Sequence, residues 1–173
     1  MSTKTTCRSF IARTGMISAG ITLGANPISA ASYHRIKGAN EKIRVGFIGV
    51  GNRGTQLLNI FMDQPDVEIA ALCDVYEPYI NRDRSGVDPR YIKDRPGQIP
   101  EMGENFPNKV ERYSDYRKLL ENKTIDAVCI ATPDHWHALM TIDAIKAGKD
   151  VYIEKPLSKT IHEGRAMVIA GKN

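Results

Sequence analysis

Apolar residues recur along this chain as short continuous runs, separated by stretches whose apolar positions fall at helical spacing. Ile43, Val45, Phe47 and Ile48 form the first run, Val67 to Cys73 the second, Lys109 to Tyr113 a short third, Ile125 to Ala131 the fourth and Asp150 to Ile153 the fifth. Runs of this length predict strands. Between the first two, Thr55 to Met62 carries Leu57, Leu58 and Phe61 on one helical face. Ser114 is placed to cap a helix through Glu121 that buries Leu119 and Leu120. Asp134 is placed to cap another that carries Leu139, Ile142 and Ile145 and stops at Gly148. Thr160 and Glu163 form a capping box for a last helix, which Gly171 can close. Strands alternating with helices predict an α/β domain with a doubly wound parallel sheet, in the order 3-2-1-4-5.

Two stretches fall outside that alternation. Residues 79–108 are polar and carry Pro89, Pro96, Pro100 and Pro107 with Gly86, Gly97 and Gly103, so at most a short helix near the start is expected, in a solvated excursion. Residues 1–31 read as an export signal. Lys4, Arg8 and Arg13 precede a mildly apolar stretch from Gly15 to Ala25 and a small-x-small pattern at Ser29-Ala30-Ala31. Thr6-Cys7-Arg8-Ser9-Phe10-Ile11 resembles a twin-arginine signal with Cys7 in place of the first arginine. That implies an exported or periplasmic protein, the alternative being a disordered leader on a cytoplasmic one. The apolar stretch is too short to span a membrane. Residues 32–42 are expected to be a linker, and 43–173 the α/β domain itself, incomplete at its C-terminus.

Charge narrows the classes of partner. The chain of 173 residues has a net charge of +4, yet residues 1–42 hold six of its 24 basic residues and one of its 20 acidic ones. The rest is about neutral and shows no basic stripe, so nucleic acid is not an expected partner. Cys7, Cys73 and Cys129 lack metal-ligand spacing. Cys73 and Cys129 lie in strands that would flank the first, roughly 9 to 10 Å apart from strand spacing. That is beyond disulfide reach, so buried thiols are expected. His135 and His137 around Trp136 have no third ligand at suitable spacing, and no metal site is expected.

The first strand runs directly into Gly49, Gly51 and Gly54, the G-x-G-x-x-G spacing of a dinucleotide-binding βαβ unit. Gly49 permits the tight turn, Gly51 lets backbone approach a pyrophosphate, and Gly54 lets the helix pack closely. A helix starting there points N–H groups and its positive dipole end at the phosphates. Asp74 closes the second strand twenty residues past Gly54, where an acid accepts hydrogen bonds from the adenosine ribose.

The tails G-V-G-N-R-G, C-D-V-Y, A-T-P-D-H-W-H and Y-I-E-K-P-L occur together. With them, residues 43–172 resemble the N-terminal domain of the glucose-fructose oxidoreductase, inositol dehydrogenase and MocA family, written Gfo/Idh/MocA. The resemblance implies a cofactor site in which Gly49, Gly51 and Gly54 cradle the pyrophosphate, with Asn52, Arg53 and Glu154 also in the site. Asp74 would hold the ribose, and Thr132, Pro133 and His137 would border the nicotinamide half. Lys155 would be the catalytic lysine, and NAD the cofactor in preference to NADP. The family's second domain, which supplies most substrate contacts, has no counterpart in these 173 residues. By itself the chain is expected to hold dinucleotide without turnover, and the full-length protein to be a homo-oligomer.

The implied reaction is oxidation of a secondary alcohol on a sugar or cyclitol. Removing the hydroxyl proton requires a base, and a lysine amine serves only when desolvation or a neighbouring cation brings its pKa well below about 10.4. One alternative is a glycoside hydrolase that oxidises its substrate transiently with a retained NAD. Another is a dinucleotide-binding module without catalysis. A methyltransferase has no use for the Glu154-Lys155-Pro156 tail.

Overall fold

The computed structural model describes residues 42–95 and 97–172; the leader read over 1–31, and the linker up to residue 41, lie outside the described residues. Five strands form one parallel sheet in the order β3-β2-β1-β4-β5: β1 Ile43–Ile48, β2 Val67–Cys73, β3 Glu111–Tyr113, β4 Ala127–Ile130 and β5 Asp150–Ile153. Among the described residues the helices are α1 Asn52–Met62, α2 Glu77–Asn81, α3 Pro89–Asp94, α4 Tyr116–Glu121, α5 Asp134–Lys146 and α6 Ile161–Ala170. This is the doubly wound Rossmann fold that the alternation of runs predicts.

Strand alternation sends side chains to two separate cores. Val45, Phe47, Ile69, Leu72 and Cys129 pack on one face against Leu57 and Leu58 of α1. Ile48, Cys73, Val128 and Ile130 pack on the other against Leu119 and Leu120 of α4 and Met140 and Ala144 of α5. A parallel sheet buried on both faces explains why its strands read as near-continuous apolar runs.

The sheet also sets where each strand stops. Cys73 pairs with Ile48, Ile48 with Ile130, Ile130 with Ile153 and Cys73 with Tyr113, so all five strands end level. The first residue past four of these ends is tied to its neighbour: Gly49 N–H to the Cys73 carbonyl at 2.8 Å, Ala131 to Ile48 at 2.9 Å, Glu154 to Ile130 at 3.0 Å and Asp74 to Tyr113 at 3.2 Å.

Several local expectations are corrected. Asp115, not Ser114, caps α4, its carboxylate accepting from the Arg117 N–H at 2.9 Å. Pro133 occupies the cap position of α5 and Asp134 is its first residue, with no side-chain cap bond. On α5 the buried positions are His137, Ala138, Met140, Thr141 and Ala144, whereas Leu139 is exposed. The apolar residues there are denser than one face needs, and the smaller ones fit against the sheet. The capping box at Thr160 and Glu163 is present, and Gly171 caps α6.

The largest correction concerns residues 79–108, which are not a simple solvated excursion. They contain most of α2, a 3-10 turn at Arg84–Gly86 and α3, and they bury Ile80, Arg82 and Val87. Proline stands at the first turn of both α2 and α3, where its missing N–H costs nothing.

The three glycines after β1 do different structural work. Gly49 has φ +87°, and a Cβ there would lie 2.9 Å from the backbone of Ala131 and Thr132. At Gly54 a Cβ would fall 2.0 Å from the Gly49 carbonyl oxygen, whereas at Gly51 it would meet the Tyr79 ring at an ordinary 3.5 Å. Gly54→Ala should therefore cost about 1–3 kcal/mol through overpacking. Gly51→Ala should stay within about 0.5 kcal/mol. Urea denaturation of the two variants measures the difference, and equal losses would contradict this division of roles.

Candidate functional site

The level strand ends place Gly49, Asp74, Thr132 and Glu154 along one edge of the sheet. A cleft of about 630 Å³ opens there, lined among others by Gly49, Gly51, Asp74, Thr132, Pro133 and Trp136. The strand order reverses between β1 and β4, which is where ligands bind on open α/β sheets.

The turn is held from both sides. Val50 N–H donates to Asp74 Oδ2 at 2.9 Å, and Asp74 Oδ1 accepts from the Tyr76 N–H at 3.0 Å. The carboxylate therefore orders the glycine turn and the tail of β2 together. Helix α1 begins at Asn52 with Gly51 in the cap position, no side-chain cap bond and no acid in its first turn. Its positive end is left to an anion from outside, and the space before Gly51 is open but for the Tyr79 ring. These features fit a dinucleotide's pyrophosphate. Asn52 Nδ2 donates to the Gly97 carbonyl at 3.2 Å.

A second bridge joins the start of α1 to the tail of β5, beyond the residues that line the cleft. Arg53 donates from Nε at 2.9 Å and from Nη2 at 2.7 Å to Glu154 Oε1. Glu154 is buried and its Oε2 also accepts from the Lys155 N–H at 3.1 Å. Lys155 follows as an exposed side chain on the tail of β5.

His137 is 1% exposed and does not line the cleft; its Nδ1 is 2.7 Å from the Pro156 carbonyl oxygen and its Nε2 2.8 Å from that of Thr132. It ties the loop after β4 to the tail after β5. Trp136, on the same turn of α5, lines the cleft with 39% exposure. Cys73 and Cys129 are buried and free, and burial pushes both thiols up to about 12, so neither is a nucleophile near neutral pH.

Sequence reasoning missed Arg82, Glu104, Thr55 and Tyr79. Arg82 Nη1 donates to the Val50 carbonyl at 2.9 Å, its Nε donates to Glu104 Oε2 at 2.8 Å, and Thr55 Oγ1 donates to the Gly51 carbonyl at 2.9 Å. No motif marks an ion pair 22 residues apart in a proline-rich stretch. A hydroxyl directly after the last glycine was the one available signal for Thr55.

A family model described as an oxidoreductase family with an NAD-binding Rossmann fold matches residues 92–172. The chain is 35% identical to the glycosyl hydrolase family 109 protein 1 of a Shewanella species, over 86% of this chain and 32% of that protein. It is 34% identical, with the same coverage, to the alpha-N-acetylgalactosaminidase of Shewanella oneidensis. Among solved structures, myo-inositol 2-dehydrogenase from Lactobacillus plantarum is similar, with a TM-score of 0.56 and 25% identity over 76% of this chain and 33% of that one. The chain spans about a third of the length of these relatives.

The Arg53 bridge has a pH signature. The Glu154 carboxyl is held below its ordinary 4.5 first by the hydrogen bond from Arg53, against an opposing push from burial. A carboxyl depressed in the folded state contributes stability above its unfolded pKa, lost as pH falls through the folded value. The stability difference between the unaltered chain and Glu154→Gln should be constant from neutral pH to near 4.5 and shrink below it. Denaturant midpoints measured from neutral to about pH 3 test this. A difference that grows on acidification would contradict the pairing.

Proposed function

We propose, from a chain that belongs to the Gfo/Idh/MocA oxidoreductase family as its NAD(P)-binding Rossmann domain, that the protein oxidises a secondary alcohol of a sugar or cyclitol with NAD. The observation that supports this reading most is the single edge of the sheet on which the glycine turn, Asp74 and Thr132 line one cleft and Glu154-Lys155 follow on the next strand tail.

In this reading Gly49, Gly51 and Gly54 cradle the pyrophosphate, with Asn52 and Arg53 at the start of α1 beside it. Asp74 accepts from the adenosine ribose hydroxyls while keeping its bonds to Val50 and Tyr76. Thr132 and Pro133 border the nicotinamide end, and His137 acts through the loops it ties. The bound cofactor supplies a hydride acceptor. Lys155 takes the hydroxyl proton at Nζ, and Glu154, locked by Arg53, fixes the backbone from which Lys155 projects. The chain covers about a third of the length of its relatives, and by itself it is expected to bind dinucleotide without turnover. Export through the leader is part of the same proposal.

A second reading keeps this oxidation but makes it transient, within hydrolysis of a glycoside by a retained NAD. The 34–35% identity to the two Shewanella proteins favours it. In the full-length protein the readings part on one measurement: net NADH with an oxidised sugar supports the dehydrogenase, and release of a free sugar without net NADH supports the hydrolase. Lys155→Ala should lower turnover about 10²- to 10⁴-fold in either case, with NAD affinity unchanged.

Trp136 is the one tryptophan of the chain and lines the cleft, so its fluorescence reports on binding. NAD should change this signal at lower concentration than NADP, because the Asp74 carboxylate repels a 2′-phosphate. Asp74→Ala should narrow the gap. Equal or tighter NADP binding to the unaltered chain would overturn the assignment of Asp74.

A further inference from the structure

Val50, the middle residue of the glycine turn, is fastened at both ends of its backbone. Its N–H donates to Asp74, and its carbonyl accepts from Arg82 Nη1 at 2.9 Å, with Thr55 Oγ1, whose one hydrogen is shared with the Gly51 carbonyl, 3.1 Å away. Arg82 comes from the 79–108 excursion, where it caps α2 in left-handed backbone at φ 57° and ψ 37°. Non-glycine residues adopt that conformation at a cost and persist in it where surrounding contacts hold them.

The contacts here are extensive. The Arg82 side chain is 2% exposed. Its Nε donates to Glu104 Oε2 at 2.8 Å, and Nη2 donates to Glu104 Oε1 and, at 3.0 Å, to Thr55 Oγ1. Burial pushes the Glu104 carboxyl up, but the hydrogen bonds and charge of Arg82 outweigh it and hold the group below its ordinary value. A buried guanidinium is tolerated when its charge is met and its planar fork is filled, and Glu104 does both.

The consequence for the turn follows from peptide geometry. In a planar trans peptide the carbonyl and the next N–H point in opposite directions. Arg82 draws the Val50 carbonyl toward itself, so the Gly51 N–H faces away from Arg82, and Gly51 lines the cleft. We propose that Arg82, held by Glu104, is a positioning residue for the dinucleotide pyrophosphate, fixing the Val50–Gly51 peptide so that its N–H is presented to a phosphate oxygen. Arg82 is then part of the phosphate site without lining the cleft. This inference rests on the dinucleotide reading above.

The test is titration of the 173-residue chain with NAD, ADP and adenosine, read by Trp136 fluorescence, for the unaltered protein, Arg82→Met, Arg82→Lys and Glu104→Gln. Arg82→Met should weaken NAD and ADP about tenfold or more, the size of one hydrogen bond to a charged group, and leave adenosine within about twofold. Arg82→Lys should recover part of the loss, since an ammonium reaches one acceptor but cannot fill the fork. Should Arg82→Met fail to fold, Glu104→Gln carries the same comparison, because it removes the charge that anchors Arg82 and keeps the shape. A purely structural role would lower the thermal midpoint and weaken all three ligands alike. That result, or unchanged NAD affinity in the variants, overturns this inference alone. Failure of the unaltered chain to bind NAD would overturn the dinucleotide reading itself.

Discussion

Register is the constraint from which the rest of this structure follows. Because β1 is paired in parallel on both sides, and its neighbours are paired in parallel in turn, five strands end level. Each tail therefore leaves the sheet at the same height. The four bonds from Gly49, Asp74, Ala131 and Glu154 extend the ladder one residue further and fix the directions in which the tails depart. Residues as far apart in sequence as Arg53 and Glu154 meet because of this, with a separation of 101 residues closed by two nitrogen–oxygen contacts below 3 Å.

The parts legible in the sequence were those governed by period and by sterics at single positions. The run Val67 to Cys73 is a strand with those same ends, since a buried parallel strand must be apolar on both sides. Gly49 and Gly54 were legible because a Cβ at either place collides with backbone, which no neighbouring side chain can relieve. The capping box at Thr160 was legible because both of its bonds lie within one turn. Arg82 and Glu104 were not, because their partners are set by tertiary folding of a segment whose proline and glycine content signals turns without saying what they pack against. Helix α5 misled for another reason: it is apolar around most of its surface, so spacing could not tell Leu139, exposed, from Met140, buried. The positions of Asp74 and Glu154 were readable, but their protein partners were not.

The row of strand tails is braced differently at its two ends. At the β2 side, Asp74 spans Val50 and Tyr76, and Arg82 draws the excursion onto the same turn. At the β5 side, Arg53 reaches Glu154, and His137 stands between the carbonyls of Thr132 and Pro156. Each side has at least one brace that runs from a strand tail to another element, although Asp74 and Glu154 also close on their own tails at Tyr76 and Lys155. A change at one tail is thus felt at its neighbour, which is how a residue such as His137, 1% exposed, can matter to a surface it does not reach.

Bracing of this kind has an energetic direction. Ordering a loop residue on binding costs roughly 1–2 kcal/mol of backbone entropy, and a turn already fixed in the free protein does not incur that cost again. The glycine turn is where the saving is largest, because glycine loses more conformational freedom than any other residue and three of them fall within six positions. Hydrogen bonds to Val50 from both sides remove that freedom before any ligand arrives. The permissiveness that lets Gly49 adopt φ +87° would otherwise leave the turn loose. The charged residues around it therefore offset the entropic weakness of the glycines in the turn.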